Sequence, residues 1–251
     1  MNGVLNIFKP KGMSSFDAVR VVKKVAGTGK VGHTGTLDPE ATGVLPICIG
    51  RATKIIDYIM DSEKVYEVTL KLGIRTTTYD LEGEVLEERD PSHLTEEEIL
   101  NSINSFKGEY SQIPPMYSAL KQNGVRLYEL ARKGIEVERK GRLINIHNLE
   151  DIKINNPYIS MKVTCSKGTY IRSLCYDIGE KLGVFATMTQ LNRAKTSVFS
   201  QEKSININEL TKENINDYIL SMEEALEKYD KIVVNKKYVK LLVNGVRVAD
   251  G

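Results

Sequence analysis

Residues 32–49 read GHTGTLDPEATGVLPICI, a loop rich in glycine and threonine followed at once by an apolar run that predicts a buried strand. The loop surrounds His33 and Asp38 with three glycines, three threonines and a proline. Glycine reaches backbone conformations that other residues resist and proline fixes one dihedral angle, so the backbone itself holds the side chains in place. A carboxylate in such a loop is a candidate nucleophile or base. Loops of this composition are often ordinary turns, so Asp38 needs support from the rest of the chain.

The composition is that of a globular protein of 251 residues, with 41% hydrophobic and 27% charged residues. No apolar run approaches the ~20 residues that a membrane span needs. No signal peptide is evident at the N-terminus. The three cysteines and three histidines lack metal-ligand spacing. We therefore expect a cytoplasmic protein with reduced cysteines, no metal site and no membrane association.

The net charge is only +2, but the charges are unevenly distributed. Residues 9–30 hold six Lys and Arg against one Asp, and residues 121–142 hold seven against three Glu. Residues 80–98 hold nine Asp and Glu against one Arg. Separate basic and acidic segments indicate a face that binds a polyanion, although any single charged run can be merely solvated surface.

Local signals predict several elements. Ser14 and Asp17 form a capping box that opens a helix through Val25, which Gly27 closes. A second capping box at Thr95 predicts another helix. These short-range patterns fix helix ends but leave the arrangement of the helices open.

The chain also carries one clear strand and one strongly periodic helix. Residues 65–72 alternate between apolar and polar, which places Tyr66 on the buried side of a strand. Apolar residues from Ile171 to Leu182 recur at helical spacing, with Gly183 as the C-terminal cap. Because strands and helices do not alternate as βαβ units, the sequence predicts an α+β fold with a mixed, largely antiparallel sheet flanked by helices.

Two segments are expected to stand apart from the central sheet. Successive prolines at Pro114 and Pro115 precede the basic segment, which predicts a surface insertion with a short helix. Residues 231–248 read as short β segments with a turn at Asn244 and Gly245. They are either the first strands of a truncated second domain or an edge hairpin on the main sheet.

Four further residues are candidates beside Asp38, and each has an ordinary alternative. Arg172, entering the buried side of a helix, needs a partner such as a carboxylate, although most arginines pair with a surface acid. Tyr66 is either a stacking ring or plain core packing. His33 is either a platform for a nucleic-acid base or a cap within its own loop. Lys167 is either a phosphate contact at a helix start or part of a tight turn.

The loop resembles the nucleophile loop of the TruB-type tRNA pseudouridine synthases, which modify the T-loop uridine at tRNA position 55. Further stretches resemble other motifs of that family, in the same order, across roughly residues 5–195. They are KPKGMSS (9–15), KVYE (64–67) leading to LGIRTTTYD (72–80), QIPPMYSALK (112–121), CSKGTYIRSL (165–174) and LNR (191–193). One departure is Asn192, where the family more often has a second arginine.

The resemblance implies a pseudouridine synthase fold and specific catalytic roles. Asp38 would be the nucleophile, which suits a side chain that is ionised at neutral pH without a separate base. Arg172 would pair with Asp38, and Tyr66 would stack on the uracil after it leaves the RNA stack. His33 would brace the space that the base vacates, and Leu191 would line the pocket. The isomerisation changes no oxidation state, so the resemblance implies no cofactor and no metal.

The resemblance also implies how RNA is held. Residues 1–228 would form the catalytic domain, with a thumb-like RNA-binding insertion at about 113–142, and residues 229–251 the first strands of a truncated PUA-like domain. The partner would be the T stem-loop of tRNA, bound by a monomer without guide RNA. The substrate-binding residues would include Lys9, Gly32, Thr34, Lys121, Arg126 and Lys167, beside His33 and Leu191.

Three other functions compete with this interpretation. A non-catalytic tRNA-binding folding chaperone would need the basic face but not Asp38 or Arg172. A guide-RNA-dependent synthase would be expected to carry partner-binding extensions. A glycosidase with an aspartate nucleophile normally needs a second positioned carboxylate, and the loop offers only Glu40.

Overall fold

The computed structural model describes residues 1–246. The strands are β1 (Gly3–Lys9), β2 (Val31–His33), β3 (Thr42–Ile49), β4 (Lys64–Leu72), β5 (Ile74–Thr76), β6 (Val85–Glu88), β7 (Gly108–Gln112), β8 (Lys121–Gln122), β9 (Val125–Arg126), β10 (Arg142–Asn155), β11 (Tyr158–Cys165), β12 (Ala186–Thr196), β13 (Phe199–Ser200), β14 (Ile205–Asn206) and β15 (Ile219–Leu220). The α-helices are α1 (Ser15–Ala26), α2 (Ile56–Met60), α3 (Glu96–Asn104), α4 (Leu127–Ala131), α5 (Ile171–Leu182), α6 (Met222–Ala225) and α7 (Lys236–Val243). Short 3-10 turns lie at Gly50–Ile55, Gln201–Lys203, Ile207–Glu209 and Ile215–Tyr218.

One large mixed sheet organises the molecule. Its strand order is β14-β1-β3-β12-β4-β11-β10-β7, and β2, β13 and β15 pair at its margins with β3, β12 and β1. Neighbours run antiparallel except for β1 with β14 and β3 with β12, which are parallel. The predicted α+β class with a mixed, largely antiparallel sheet is confirmed.

The main core lies between this sheet and the helices α1, α3 and α5. On β4 the predicted alternation is present, since Tyr66, Val68, Leu70 and Leu72 are buried. Apolar residues of all three helices pack against this face. The side chain of Tyr66 therefore points toward the helices.

The local helix signals acted as predicted. Ser14 accepts a hydrogen bond from the Asp17 N–H, and Gly27 closes α1 in the left-handed conformation at φ 63°. Gly183 closes α5 in the same way at φ 73°. These boundaries depend on residues within a few positions of one another, which explains why sequence alone located them.

All three cysteines are free and buried, and burial raises the pKa of the Cys48 thiol to about 12. Within residues 1–246, no His, Cys, Asp or Glu side chains gather in threes or more at a spacing that could hold a metal ion. No helix in the same part of the chain combines the length and apolar character needed to cross a membrane.

The basic insertion leaves the sheet between β7 and β10. It contains the two-stranded hairpin β8–β9 and the short helix α4. The helix was predicted, whereas the hairpin was not, because two-residue strands leave no periodic signal.

The end of the chain differs from its prediction. Val239 and its neighbours were expected to form β segments, but α7 occupies this stretch, with the Asn235 side chain accepting a hydrogen bond from the Lys237 N–H as its N-cap. The predicted turn at Asn244 follows a helix instead of joining strands. No strand of the described residues pairs with this segment, so helical hydrogen bonds satisfy its backbone locally. The predicted β character of residues 247–251 lies outside the described residues.

Candidate active site

The backbone on both sides of Asp38 is held by the first residue of α1 and by the turn that precedes this helix. Leu37 donates its N–H to Ser15 Oγ at 2.8 Å, and Ser15 Oγ donates to the Leu37 carbonyl at 2.9 Å. The Pro39 carbonyl accepts from the Gly12 N–H at 2.9 Å. These bonds fix the residues before and after Asp38 and so restrict where its carboxylate can point.

Lys9 braces the same loop from inside the molecule. It is fully buried, and Nζ donates to the carbonyls of Pro10 at 2.9 Å, Met13 at 2.7 Å and Pro39 at 3.2 Å. Burial lowers the pKa of Lys9 to about 8. Sequence reasoning assigned Lys9 to RNA binding, but in the structure all three of its hydrogen-bond donors are used internally.

Thr34 and Gly32 also shape the loop from within. Thr34 is fully buried, and its N–H and Oγ1 both donate to the Pro46 carbonyl, at 3.0 and 3.3 Å. Gly32 pairs with Cys48 in the sheet, and a Cβ there would lie 2.8 Å from Ile56 Cδ1. Both residues therefore have packing roles in the structure, and their predicted contact with substrate stays a prediction.

Arg172 and Asp38 form a two-point ion pair, although 134 positions separate them in the sequence. Arg172 Nε lies 3.1 Å from Asp38 Oδ2, and Nη2 lies 3.3 Å from Oδ1. The Arg172 side chain is 7% exposed, whereas that of Asp38 is 34% exposed. The buried guanidinium therefore holds the Asp38 carboxylate in a fixed orientation, with part of the carboxylate facing solvent.

A second carboxylate, Asp80, holds Arg172 from the other side. Arg172 Nη1 lies 3.4 Å from Asp80 Oδ2, and the guanidinium also donates to the carbonyls of Thr78 at 3.1 Å and Tyr117 at 2.8 Å. Asp80 is buried, and its Oδ1 accepts from the Thr78 hydroxyl and from the Glu82 N–H. Every side of the guanidinium is occupied, so Arg172 has little freedom to move.

Tyr79, between Thr78 and Asp80, adopts a left-handed backbone conformation with φ 64°. This conformation is unfavourable for an aromatic residue and persists only where the surroundings stabilise it. The Tyr79 ring stacks on Tyr176 with centroids 4.1 Å apart, and its carbonyl accepts from the Met188 N–H. The strained residue lets the Thr78 carbonyl and the Asp80 carboxylate face Arg172 together.

Tyr66 and Leu191 lie on neighbouring strands and face the same side of the sheet. The register of β4 and β12 places Tyr66 opposite Arg193 and Val68 opposite Leu191. Tyr66 is buried, and burial raises the pKa of its phenol, so the ring is neutral. A neutral ring beside an apolar side chain suits stacking and contact with a base better than proton removal.

His33 stands at the end of β2, where the loop begins. Its Nδ1 accepts a hydrogen bond from the Gly35 N–H at 3.2 Å. Burial, and then the charge of Arg193, lower the pKa of His33, so the imidazole is neutral near pH 7. His33 thus caps its own loop and leaves a half-buried ring, and its contact with a nucleic-acid base stays a prediction.

Two family models match successive parts of the chain. Residues 23–171 match the TruB family pseudouridylate synthase N-terminal domain, and residues 172–227 match the tRNA pseudouridylate synthase B C-terminal domain. The chain belongs to the TruB family of pseudouridylate synthases. The boundary between the two matches falls inside α5, so one continuous helix joins the two TruB segments.

Curated TruB relatives resemble the chain along its whole length. The tRNA pseudouridine synthase B of Clostridium perfringens is 64% identical over all of this chain and 85% of the relative. The protein of the same name from Clostridium tetani is 60% identical, over 100% of this chain and 86% of the relative. That of Alkaliphilus oremlandii is 50% identical, over 99% and 83%.

Solved structures agree with this TruB assignment. A Cbf5–Nop10–Gar1 complex matches 97% of this chain and 67% of the solved chain, with a TM-score of 0.76 and 29% identity. An H/ACA RNP bound to a substrate RNA containing 2′-deoxyuridine matches 98% of this chain and 67% of its own, with a TM-score of 0.74 and 26% identity. The chain thus shares its fold with these solved structures.

Two of the predicted RNA contacts of this TruB protein lie exposed on the insertion. Lys121 and Arg126 are partners across the β8–β9 hairpin. Arg126 donates to the Tyr128 hydroxyl at 3.0 Å. The structure therefore places two cations side by side on a surface hairpin, a suitable position for phosphate contacts.

Lys167 and Asn192 are engaged elsewhere on the surface. Lys167 Nζ forms an ion pair with Asp61 at 2.8 Å, and both side chains are exposed. Asn192, the departure from the TruB pattern, donates to Glu67 Oε2 at 2.9 Å and to Gln201 Oε1 at 2.7 Å. The amide thus links β12 to β4 and to the 3-10 turn at Gln201–Lys203, at a position where the family more often has an arginine.

Sequence reasoning assigned no separate role to Asp80, Arg193 or Gln112, although each lies in a stretch that resembles a family motif. Gln112 donates through Nε2 to the Tyr170 carbonyl at 3.1 Å and accepts from the Tyr170 N–H at 2.8 Å. It thereby holds the residue at the start of α5, two positions before Arg172. The position of Asp80, Arg193 and Gln112 within family motifs was a signal that they matter, but the groups they contact are decided by the fold.

Proposed function

We propose that this TruB family member isomerises the T-loop uridine at position 55 of tRNA to pseudouridine, with Asp38 as the nucleophile. The observation that carries the proposal is the oriented Asp38 carboxylate, held at 3.1 and 3.3 Å by a buried arginine and open on its other side. The relatives named tRNA pseudouridine synthase B, which are similar along the whole chain, support the choice of substrate.

The geometry suits a reaction on a base that has left the RNA stack. Tyr66 offers a face on which the uracil ring stacks, Leu191 forms an apolar wall beside it, and His33 braces the space that the base vacates. Asp38 attacks the nucleotide, and the N1–C1′ bond breaks. The base turns, C5 bonds to C1′, the proton leaves C5 and N1 takes up a proton, so atoms and charge balance when Asp38 is released.

The proposed partner is the T stem-loop of tRNA, recognised without guide RNA by a monomer in the cytoplasm. Residues 1–228 serve as the catalytic domain, and the insertion at about 113–142 grips the RNA backbone through Lys121 and Arg126. Exposed cations at this hairpin support phosphate contacts that position the RNA without reading its sequence.

The test is tritium release from a T stem-loop RNA that carries 5-tritiated uridine only at position 55. We expect release by the wild-type protein and none by Asp38→Asn, which keeps the shape but loses the anionic nucleophile. Asp217→Asn, at an exposed site in a 3-10 turn, is the matched control and should turn over normally.

Three outcomes would overturn parts of the proposal. Release from an RNA labelled only at other uridines would contradict the position. Normal turnover by Asp38→Asn would contradict the nucleophile assignment. Tight RNA binding without any release by the wild-type protein would favour the folding chaperone instead.

A further inference from the structure

Arg193 is one of the largest fully buried side chains of the protein, with 1% of its surface exposed. It lies in the middle of β12, where its backbone neighbours are Gly43 of β3 on one side and Tyr66 of β4 on the other. The side chain therefore starts beside Gly43, where the loop that carries Asp38 enters β3.

The Arg193 guanidinium joins the two ends of this segment. Its Nε donates to the Val44 carbonyl at 2.8 Å, and its Nη2 donates to the Gly35 carbonyl at 3.2 Å. Asp38 lies between these two residues in the chain. The planar fork of an arginine donates from separate nitrogens held in a fixed geometry, whereas a lysine donates from a single nitrogen.

The pairing of β3 explains why a side chain is needed here. Along one edge, β3 pairs with β12 at Thr42 and Gly43, and with β2 from Ile47 onward. The Val44 carbonyl lies between these two paired stretches, and a buried carbonyl without a partner is costly. Arg193 fills this gap through Nε and bonds the start of the loop through Nη2.

Close packing shows how tightly this region is held. A Cβ on Gly43 would lie 2.4 Å from the Arg193 carbonyl oxygen and 2.6 Å from the Arg193 nitrogen. The strand that carries Arg193 thus presses against the exit of the loop without room for a side chain.

A buried positive charge such as that of Arg193 is unusual in a side chain that only stabilises the fold. Within residues 1–246 no carboxylate forms an ion pair with it, and its nearby titratable groups include the cations Lys9 and Lys64. A buried cation without a carboxylate is expensive, and a neutral side chain would pack at lower cost. The cost is understandable if the two-point bond to the loop serves catalysis.

We propose that Arg193 is a positioning residue that closes the nucleophile loop by bridging its two ends and thereby holds Asp38 in its reactive position. This inference rests on the proposed function for its catalytic consequence, whereas the closure of the loop can be measured without turnover.

The experiment compares Arg193→Lys and Arg193→Ala with wild type and with Arg75→Ala. Arg193→Lys keeps the positive charge but donates from a single nitrogen, so it cannot reproduce the separate Nε and Nη2 bonds. Arg75, in β5, pairs with Glu87 and stacks on Phe185, so its removal controls for general destabilisation. Amide hydrogen exchange of residues 34–41 reports the loop, and thermal unfolding reports overall stability.

We expect exchange in residues 34–41 to rise in both Arg193 variants and not in Arg75→Ala. The single-turnover rate of tritium release should fall roughly 10- to 100-fold without a matching loss of RNA affinity, because misplacing a reacting group by about 1 Å costs on the order of 100-fold. Free guanidinium at non-denaturing concentration should partly restore the rate of Arg193→Ala but not that of Asp38→Asn.

The proposal is overturned if Arg193→Lys leaves both loop exchange and rate unchanged. It is also overturned if Arg75→Ala, at equal loss of thermal stability, loses as much activity. If the wild-type protein releases no tritium while the loop responds to Arg193 as expected, the proposed function fails and the closure of the loop stands.

Discussion

Substitution of Asp80 by Asn tests how Arg172 is held. Asp80 lies 3.4 Å from Arg172 on the side away from Asp38 and is buried, so RNA does not reach it easily. The side-chain amide of the Asp80→Asn variant would keep an oxygen for the Thr78 hydroxyl and the Glu82 N–H but would lose the negative charge. The change therefore isolates the charge that fixes the second side of the guanidinium.

The expected loss is that of the 3.4 Å ion pair between Asp80 and Arg172, taken at the value of one hydrogen bond to a charged group, about 1.5–3 kcal/mol. If all of it orients Arg172, and through it Asp38, in the transition state, the rate falls roughly 10- to 150-fold, at 1.36 kcal/mol for each factor of ten. RNA affinity should stay near the wild-type value because Asp80 is 7% exposed.

The assay is single-turnover tritium release at saturating enzyme, with RNA binding measured separately. Glu87→Gln is the matched control, because it also removes one carboxylate from an arginine pair, at 2.5 Å from Arg75 in the β5–β6 hairpin. A wild-type rate for Asp80→Asn would refute the reasoning, and so would an equal loss in Glu87→Gln.

Three further predictions concern binding, packing and pH. Replacing Lys121 and Arg126 together by Ala should weaken RNA binding and flatten its dependence on salt, by roughly 0.7–0.9 in slope for each phosphate interaction removed; an unchanged slope would contradict their role. Gly43→Ala, at φ 110° and with a Cβ 2.4 Å from a backbone oxygen, should lower the thermal unfolding midpoint clearly, and a midpoint at the wild-type value would show that the strand yields. Burial raises the pKa of Asp177 from 3.8 to about 7, so the folded state binds the proton more tightly and its contribution to stability is lost as pH rises through about 7. The free energy of unfolding in urea should therefore favour Asp177→Asn over wild type by more at pH 8 than at pH 5. An equal difference between variant and wild type at both pH values would count against the raised pKa.

Local patterns were sufficient for the elements that short-range contacts decide. The helix opened by Ser14 and Asp17 and the alternating strand around Tyr66 were located correctly, because caps and side-chain alternation act within a few residues. The segment around Val239 was misjudged because an apolar run without a neighbouring strand satisfies its backbone as a helix. A strand needs a partner, and sequence reasoning could not show that this one lacks it.

In the candidate site, too, some features follow from the sequence and others depend on tertiary contacts. The chain by itself determined that a rigid loop carries Asp38 and that a buried helix start carries Arg172, since both follow from residue types and spacing. Asp38 and Arg172 are 134 positions apart, and their contact depends on the chain between them folding into one sheet. The roles of Asp80 and Arg193 depend on the registers of the strands and turns around them. Which carbonyl or carboxylate a buried guanidinium meets is a property of strand order and register, and only the tertiary structure decided it.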